Sequence, residues 1–225
     1  MARERVPSVE HAAAIPLPAV LIFRMTPADL DRRLNSLPLG SATFKEPMEC
    51  LAVPKLPDGP NWLYEIKLDG YRAIAVKSSG KLSLFSRRRN SFNRQYSKVF
   101  EALADLSDNT VIDGEVVALD ESGRPDFNLL QHYRAEASRI HYFVFDLLVY
   151  NNRDLTRLSF IERHEIMKSV LRFKSPRVRI TDYFEVPAAD MLNAIRARGW
   201  KASLPRGGTA GTRLANAAAR GLNIG

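Results

Sequence analysis

One cysteine, Cys50, is all the thiol chemistry this chain holds, so a disulfide framework and any multi-cysteine zinc site are excluded and a reducing cytoplasm fits. Histidine is scarce as well, and His132, His141 and His164 lie too far apart in sequence to suggest a metal site, which leaves them packing or surface roles. No apolar run approaches the ~20 residues that span a bilayer. The run near the start, Ile15 to Ile22, is broken by Pro16 and Pro18, and Arg3, Glu4, Arg5 and Glu10 give the leader both signs of charge, unlike a signal peptide. No membrane partner is expected. What remains is ordinary: 45% hydrophobic and 26% charged residues over 225 positions describe a globular chain with a real core, and exclude wholesale disorder, collagen and coiled coil.

The net charge of +8 points toward a nucleic acid only if it is spread over a folded surface. It is not. From Met191 onward there is no acidic residue, and that stretch holds Arg196, Arg198, Lys201, Arg206, Arg213 and Arg220, while residues 1–190 carry 27 basic against 25 acidic groups. Half of the 12 glycines and the run Ala217-Ala218-Ala219 also fall in this tail, so the composition changes near residue 199.

Along the chain, residues 1–43 read as an N-terminal extension with one helix, opened by Thr26 as cap, Pro27 at the first position and Asp29 completing a capping box. From Trp62 strands dominate: Leu63 to Ile66, Tyr71 to Val76 and Leu82 to Phe85 are rich in β-formers and separated by Asp69-Gly70 and Ser78-Ser79-Gly80 turns. Tyr96 to Leu106 has helical spacing, Val111-Ile112 and Val116-Val117 flank Asp113-Gly114-Glu115, and Ile140 to Tyr150 is apolar enough for a central strand. Ser159 with Glu162 opens a helix through Leu171, with Phe160, His164, Met167 and Leu171 on one face; Pro187 starts a last helix ending near Gly199. The expected fold is one α+β domain over residues 44–198 with antiparallel-rich sheets and flanking helices, followed by a basic Gly/Ala/Arg-rich tail over 199–225. That tail has no apolar period and is expected to pack poorly.

The segment Glu65-Ile66-Lys67-Leu68-Asp69-Gly70-Tyr71-Arg72 sets a lysine beside a carboxylate, a glycine and an arginine at a strand end. A lysine nucleophile must shed its proton, which cations such as Arg72, Arg87 and a bound metal favour, and Gly70 lets a phosphate approach the backbone. A surface hairpin with a solvated lysine is the competing reading.

The ordered series Lys67-x-Asp-Gly-x-Arg72, Phe85-Ser86-Arg87, Asp113-Gly114-Glu115 and Tyr142 to Leu148 resembles motifs I, Ia, III and IIIa of the ATP-dependent DNA ligases. Glu46-Pro47-Met48 and Trp62-Leu63-Tyr64-Glu65 are similar to the bacterial branch that includes the ligase domain of the end-joining ligase D. The resemblance implies an ATP-grasp-like adenylation domain in which Lys67, with Asp69 in the same motif, takes AMP from ATP as a covalent lysyl adduct, passes it to a DNA 5′-phosphate, and a 3′-hydroxyl displaces it to seal the nick in repair or recombination. It further implies that Glu65 contacts the adenine, Arg72 the ribose side, Arg87 a phosphate, Glu115 the ribose or a divalent Mg2+ or Mn2+, and that Phe145 stacks on the base. Nicked double-stranded DNA and end-joining repair proteins are the implied partners, in a bacterial cytoplasm beside the nucleoid. Each residue has a plainer reading: Phe145 as core, Glu115 as a turn carboxylate, and Arg87-Arg88-Arg89 as a solvated charge run. Arg88-Arg89 also departs from the Asn-Gly-type turn commoner in the family.

After Gly199 the family would show motif IV, Glu-Gly-x-x-x-Lys, then motif V and an oligonucleotide-binding barrel, none of which is in this sequence. Losing that carboxylate and those lysines removes transition-state stabilisation of several kcal/mol, so impaired activity is expected. One added nucleotide between the Gly199 and Trp200 codons lets Trp200 to Arg206 be decoded, with allowed codons, as L-E-G-V-V-A-K, which suggests a frameshift. The alternatives are a genuine basic tail, another lysyl-nucleotidyltransferase such as an RNA ligase or capping enzyme, and a non-catalytic nucleotide- or DNA-binding remnant.

Overall fold

The computed structural model describes residues 25–48, 59, 62–132, 139–197 and 217–221. The leader run Ile15–Ile22, Cys50 and the stretch Trp200–Arg206 lie outside them. Among the described residues two sheets carry the fold, paired antiparallel except at one strand of the larger. The larger has six strands: β2 (Tyr71–Ser78) sits between β3 (Lys81–Ser86) and β4 (Thr110–Ala118), β5 (Ile140–Tyr150) follows, then β6 (Arg153–Asp154), and β7 (Val178–Ile180) pairs parallel to β5. The smaller has β1 (Trp62–Ile66) between β8 (Tyr183–Phe184) and β9 (Ala217–Gly221). Five helices, α1 (Pro27–Ser36), α2 (Ser97–Ala102), α3 (Phe127–Gln131), α4 (Phe160–Val170) and α5 (Ala188–Ala197), pack around them.

The helix starts follow local chemistry. The Thr26 hydroxyl accepts the Asp29 N–H with Pro27 in the first turn, and at α4 both halves of the Ser159–Glu162 capping box form. Residues 79 and 80 take positive φ of 51° and 73°, the tight turn that the Ser-Gly pair signals between β2 and β3. The helix expected from Tyr96 to Leu106 is shorter, but Val99, Leu103 and Leu106 all reach the core.

Alternation along β2, β4 and β5 divides the larger sheet into two chemically different faces. Ala73, Ala75, Ile112, Val116, Tyr142 and Val144 enter the main core, against Val99 of α2, Leu130 of α3 and Ile166 and Met167 of α4. Arg72, Asp113 and Glu115 alternate with these residues and therefore share the opposite face. Asp113-Gly114-Glu115 is not a turn but the middle of β4, which corrects the reading of Glu115 as a turn carboxylate. Glycine is needed there because a Cβ on Gly114 would lie 2.7 Å from the Tyr142 ring, whose hydroxyl donates to Ala73 O at 2.8 Å.

The tail holds one element where none was expected. Ala217–Gly221 pairs antiparallel with β1 from Trp62↔Gly221 to Ile66↔Ala217. A ladder is closed by backbone groups, so an edge such as β1 can accept a partner whose sequence shows no apolar period.

Candidate functional site

The connection Lys67–Gly70 carries the chain from β1 in the small sheet to β2 in the large one, so Lys67 sits where the two sheets meet. Leu68 anchors this crossing by packing with Val117 and Leu119, which turns Lys67 outward; Lys67 is exposed and Asp69 half-buried. Gly70 passes so close to β4 that an added Cβ would lie 2.2 Å from Val116 O, and its N–H donates to Glu115 Oε1 at 2.8 Å. The glycine is thus required by its own strand neighbour.

Glu115 is only partly exposed, and that desolvation raises its pKa from 4.5 to about 7, against the lowering charges of Lys67 and Arg72 and the Gly70 N–H. The field of Lys67 at Glu115 marks the two as near neighbours. Arg72 pairs in register with Glu115 across β2 and β4 and reaches diagonally to Asp113, where Nε and Nη2 each make a 2.6 Å bond to the carboxylate.

Phe145 reaches the same face through an irregularity in β5. The register runs Asp113↔Asp146 and then Gly114↔Val144, which leaves Phe145 as an extra residue. Val144 and Leu147 both point into the main core. The bulge therefore puts Phe145 and Asp146, consecutive in sequence, together on the opposite face. The Phe145 ring is buried, and the Arg72 guanidinium lies over it at 4.5 Å.

Beside this group opens a cleft of about 860 Å3, lined by Arg72, Asp113, Asp146 and Arg163 and by segments near Lys45 and Ser159. Arg163, one turn into α4, donates through Nε and Nη2 to Asp146 at 2.7 and 2.8 Å and through Nη1 to Leu158 O at 2.6 Å. Burial disfavours its charge, but Asp146, Glu65 and Glu162 outweigh that and hold it protonated. Glu65 is buried on β1 opposite Tyr183, whose ring packs against Phe160 and His164 of α4, so Glu65 lies toward that helix.

Of the residues singled out from sequence, Lys67, Asp69, Arg72, Glu115 and Phe145 gather at one end of one sheet face, and Glu65 approaches from the other sheet. Arg87 is exposed in the turn just past Ser86, which pairs with Ala73, so it stands at the same end of the sheet. That turn places Arg89 at φ 62°, a left-handed conformation in which a glycine would be unstrained, with its guanidinium 5.6 Å from the Phe44 ring centre. Asp113, Asp146 and above all Arg163 were not assigned roles from sequence. The available signal was an arginine on the buried stripe of α4, between Phe160 and Met167.

Comparison with known proteins identifies the family and the fold. The family model described as an ATP dependent DNA ligase domain matches residues 47–203. The chain is 37% identical over 110 residues to the multifunctional non-homologous end joining protein LigD of Mycolicibacterium smegmatis, which covers 48% of this chain and 14% of that protein. It is 34% identical over 141 residues to LigD of Pseudomonas aeruginosa, covering 59% of this chain and 17% of that one. The chain thus spans less than a fifth of the length of these relatives. Among solved structures, the ligase domain of M. tuberculosis LigD aligns with a TM-score of 0.55 at 29% identity, over 62% of this chain and 46% of that one. A mycobacterial DNA ligase D complexed with ATP and MES shares the fold, with a TM-score of 0.57 at 24% identity over 72% of this chain and 52% of that one.

Proposed function

The chain belongs to the ATP-dependent DNA ligase domain family, and from that premise we propose that it is a LigD-type adenylation domain whose Lys67 takes AMP from ATP for transfer to DNA. The observation that carries the reading is Lys67 on the crossing between the sheets, in the field of Glu115 and followed by Arg72 on the neighbouring strand.

In the proposed step the Lys67 amine, having shed a proton, attacks the α-phosphorus, the bond to the bridging oxygen breaks, and pyrophosphate leaves. Arg87 supplies positive charge where negative charge develops, and Asp69 lies in the same connection as Lys67. Phe145 offers its ring to the adenine. Since Arg72 now covers that ring, base stacking requires the guanidinium to give up its Asp113 pair and swing toward the ribose, the side the family resemblance assigns to it. Glu65 meets the exocyclic amine of the base.

Among the described residues no three His, Cys, Asp or Glu side chains group as a cation cage. Glu115 is the one carboxylate assigned to a divalent ion, and such an ion, Mg2+ or Mn2+, would enter on the phosphates of the nucleotide and neutralise their charge. Nicked duplex DNA is the proposed acceptor, end-joining repair proteins the proposed partners, and the cytoplasm beside the nucleoid the proposed location. No helix of the described residues is long and apolar enough to cross a membrane.

The divergent residues after Gly199 favour a second reading, a non-catalytic nucleotide-binding remnant, because the motif IV carboxylate and lysine are missing from the sequence. One experiment separates the two. After incubation with ATP and magnesium, the intact mass of the chain should rise by one adenylate, and Lys67→Met should abolish the rise. ATP binding without any adduct would leave the remnant reading standing. Sequencing the gene across the Gly199 codon tests the frameshift, which predicts that the frame-restored chain seals nicks better than the 225-residue form.

A further inference from the structure

Among the buried charged residues lining the cleft, Arg163 is the cation that the proposed chemistry leaves unused. Arg163 is 9% exposed and has three of its N–H groups committed, two to Asp146 and one to Leu158 O. Asp146 follows Phe145 in the β5 bulge, and Glu65 on the other sheet is the strand partner of Tyr183, whose ring packs against Phe160 and His164 of α4. One arginine therefore holds the neighbour of Phe145 and sits on the helix toward which Glu65 lies.

We propose that Arg163 is a positioning residue that sets base selectivity, pinning the Phe145 bulge through Asp146 and fixing a positive charge on the side of α4 that Glu65 faces. The inference rests on the assignment of Glu65 and Phe145 to the base. A carboxylate accepts hydrogen bonds from a 6-amino purine and repels the oxygen of a 6-oxo purine, so it discriminates adenine from guanine only while it stays ionised and aimed. A bidentate guanidinium with a third bond to a backbone carbonyl cannot swing away to meet a 6-oxo group itself. Its charge stays on the side of α4 that Glu65 faces. A lysine would keep the charge and lose the fork.

The test is direct titration of the full chain with ATP and with GTP, comparing wild type, Arg163→Lys, Arg163→Met and Glu65→Gln, each checked for folding by circular dichroism. Wild type should prefer ATP. Arg163→Met should lower the ratio of GTP to ATP dissociation constants at least tenfold, and Arg163→Lys at least threefold. Adding Glu65→Gln to Arg163→Lys should lower it little further than Glu65→Gln alone, because both act on one contact. If Arg163→Met fails to fold, Arg163→Lys and the double variant decide. An unchanged ratio, or equal weakening of both nucleotides, overturns the inference and leaves the adenylation reading intact. A wild type that binds neither nucleotide overturns both.

Discussion

Glu115 carries the largest consequence of a single residue's surroundings. Its pKa rises from 4.5 to about 7 because desolvation exceeds the attraction of Lys67 and Arg72. The folded chain then holds this proton more tightly than the unfolded chain does, so through this group stability is complete below pH 4.5 and is lost as pH rises toward about 7. At full strength the loss is about 3 kcal/mol, and less where water screens the carboxylate. Other carboxylates, such as Asp154, are held below their usual range and act in the opposite sense, so the informative quantity is a difference. Urea unfolding of wild type and Glu115→Gln should show the wild type losing about 2 kcal/mol relative to the variant between pH 4.5 and about pH 8. Parallel curves would mean that Glu115 is not desolvated.

At the scale of the element, α4 joins two parts of the molecule. Its Ser159–Glu162 box is locally encoded, Glu162 also pairs with Arg33 of α1 at 2.5 Å, and the Arg163 N–H bonds Ser159 O at 3.1 Å. The turn that caps the helix is therefore the turn that presents Arg163 to Asp146. Ser159→Ala should cost about 1 kcal/mol of stability. Because the loosened turn carries the guanidinium, it should also weaken ATP binding, whereas a control at the exposed end, Arg172→Ala, should leave binding unchanged. Equal ATP affinity in Ser159→Ala and wild type would show that the cap and the cleft are independent. The β5 bulge is the other element-level device: a strand that alternated regularly would send one of Phe145 and Asp146 into the core.

For the whole molecule, the decisive fact is that the site lies between two sheets joined by the crossing at Lys67. The smaller sheet has three strands, of which β9 comes from the divergent tail. Ending the chain after Gly199 should expose one edge of β1, speed amide exchange across Leu63–Ile66 by about tenfold or more, and loosen Glu65 and Lys67 together. Unchanged protection of those amides would show that β9 contributes nothing to the sheet.

Local chemistry by itself determined much of this protein. The Thr26 and Ser159 caps, the Ser79-Gly80 turn and the largely apolar run of β5 act between residues a few positions apart, and the motif order from Lys67 to Phe145 is linear information. Only the tertiary structure decided the rest. Gly70 is glycine because Val116 O crosses above it, and Glu115 titrates near neutrality because two strands and a loop exclude water from it. Arg163 reaches Asp146 because a one-residue bulge turns that carboxylate toward α4. Burial, register and backbone pairing depend on segments far apart in sequence, so the role of Arg163 and the pairing of Ala217–Gly221 had no signature in the local pattern.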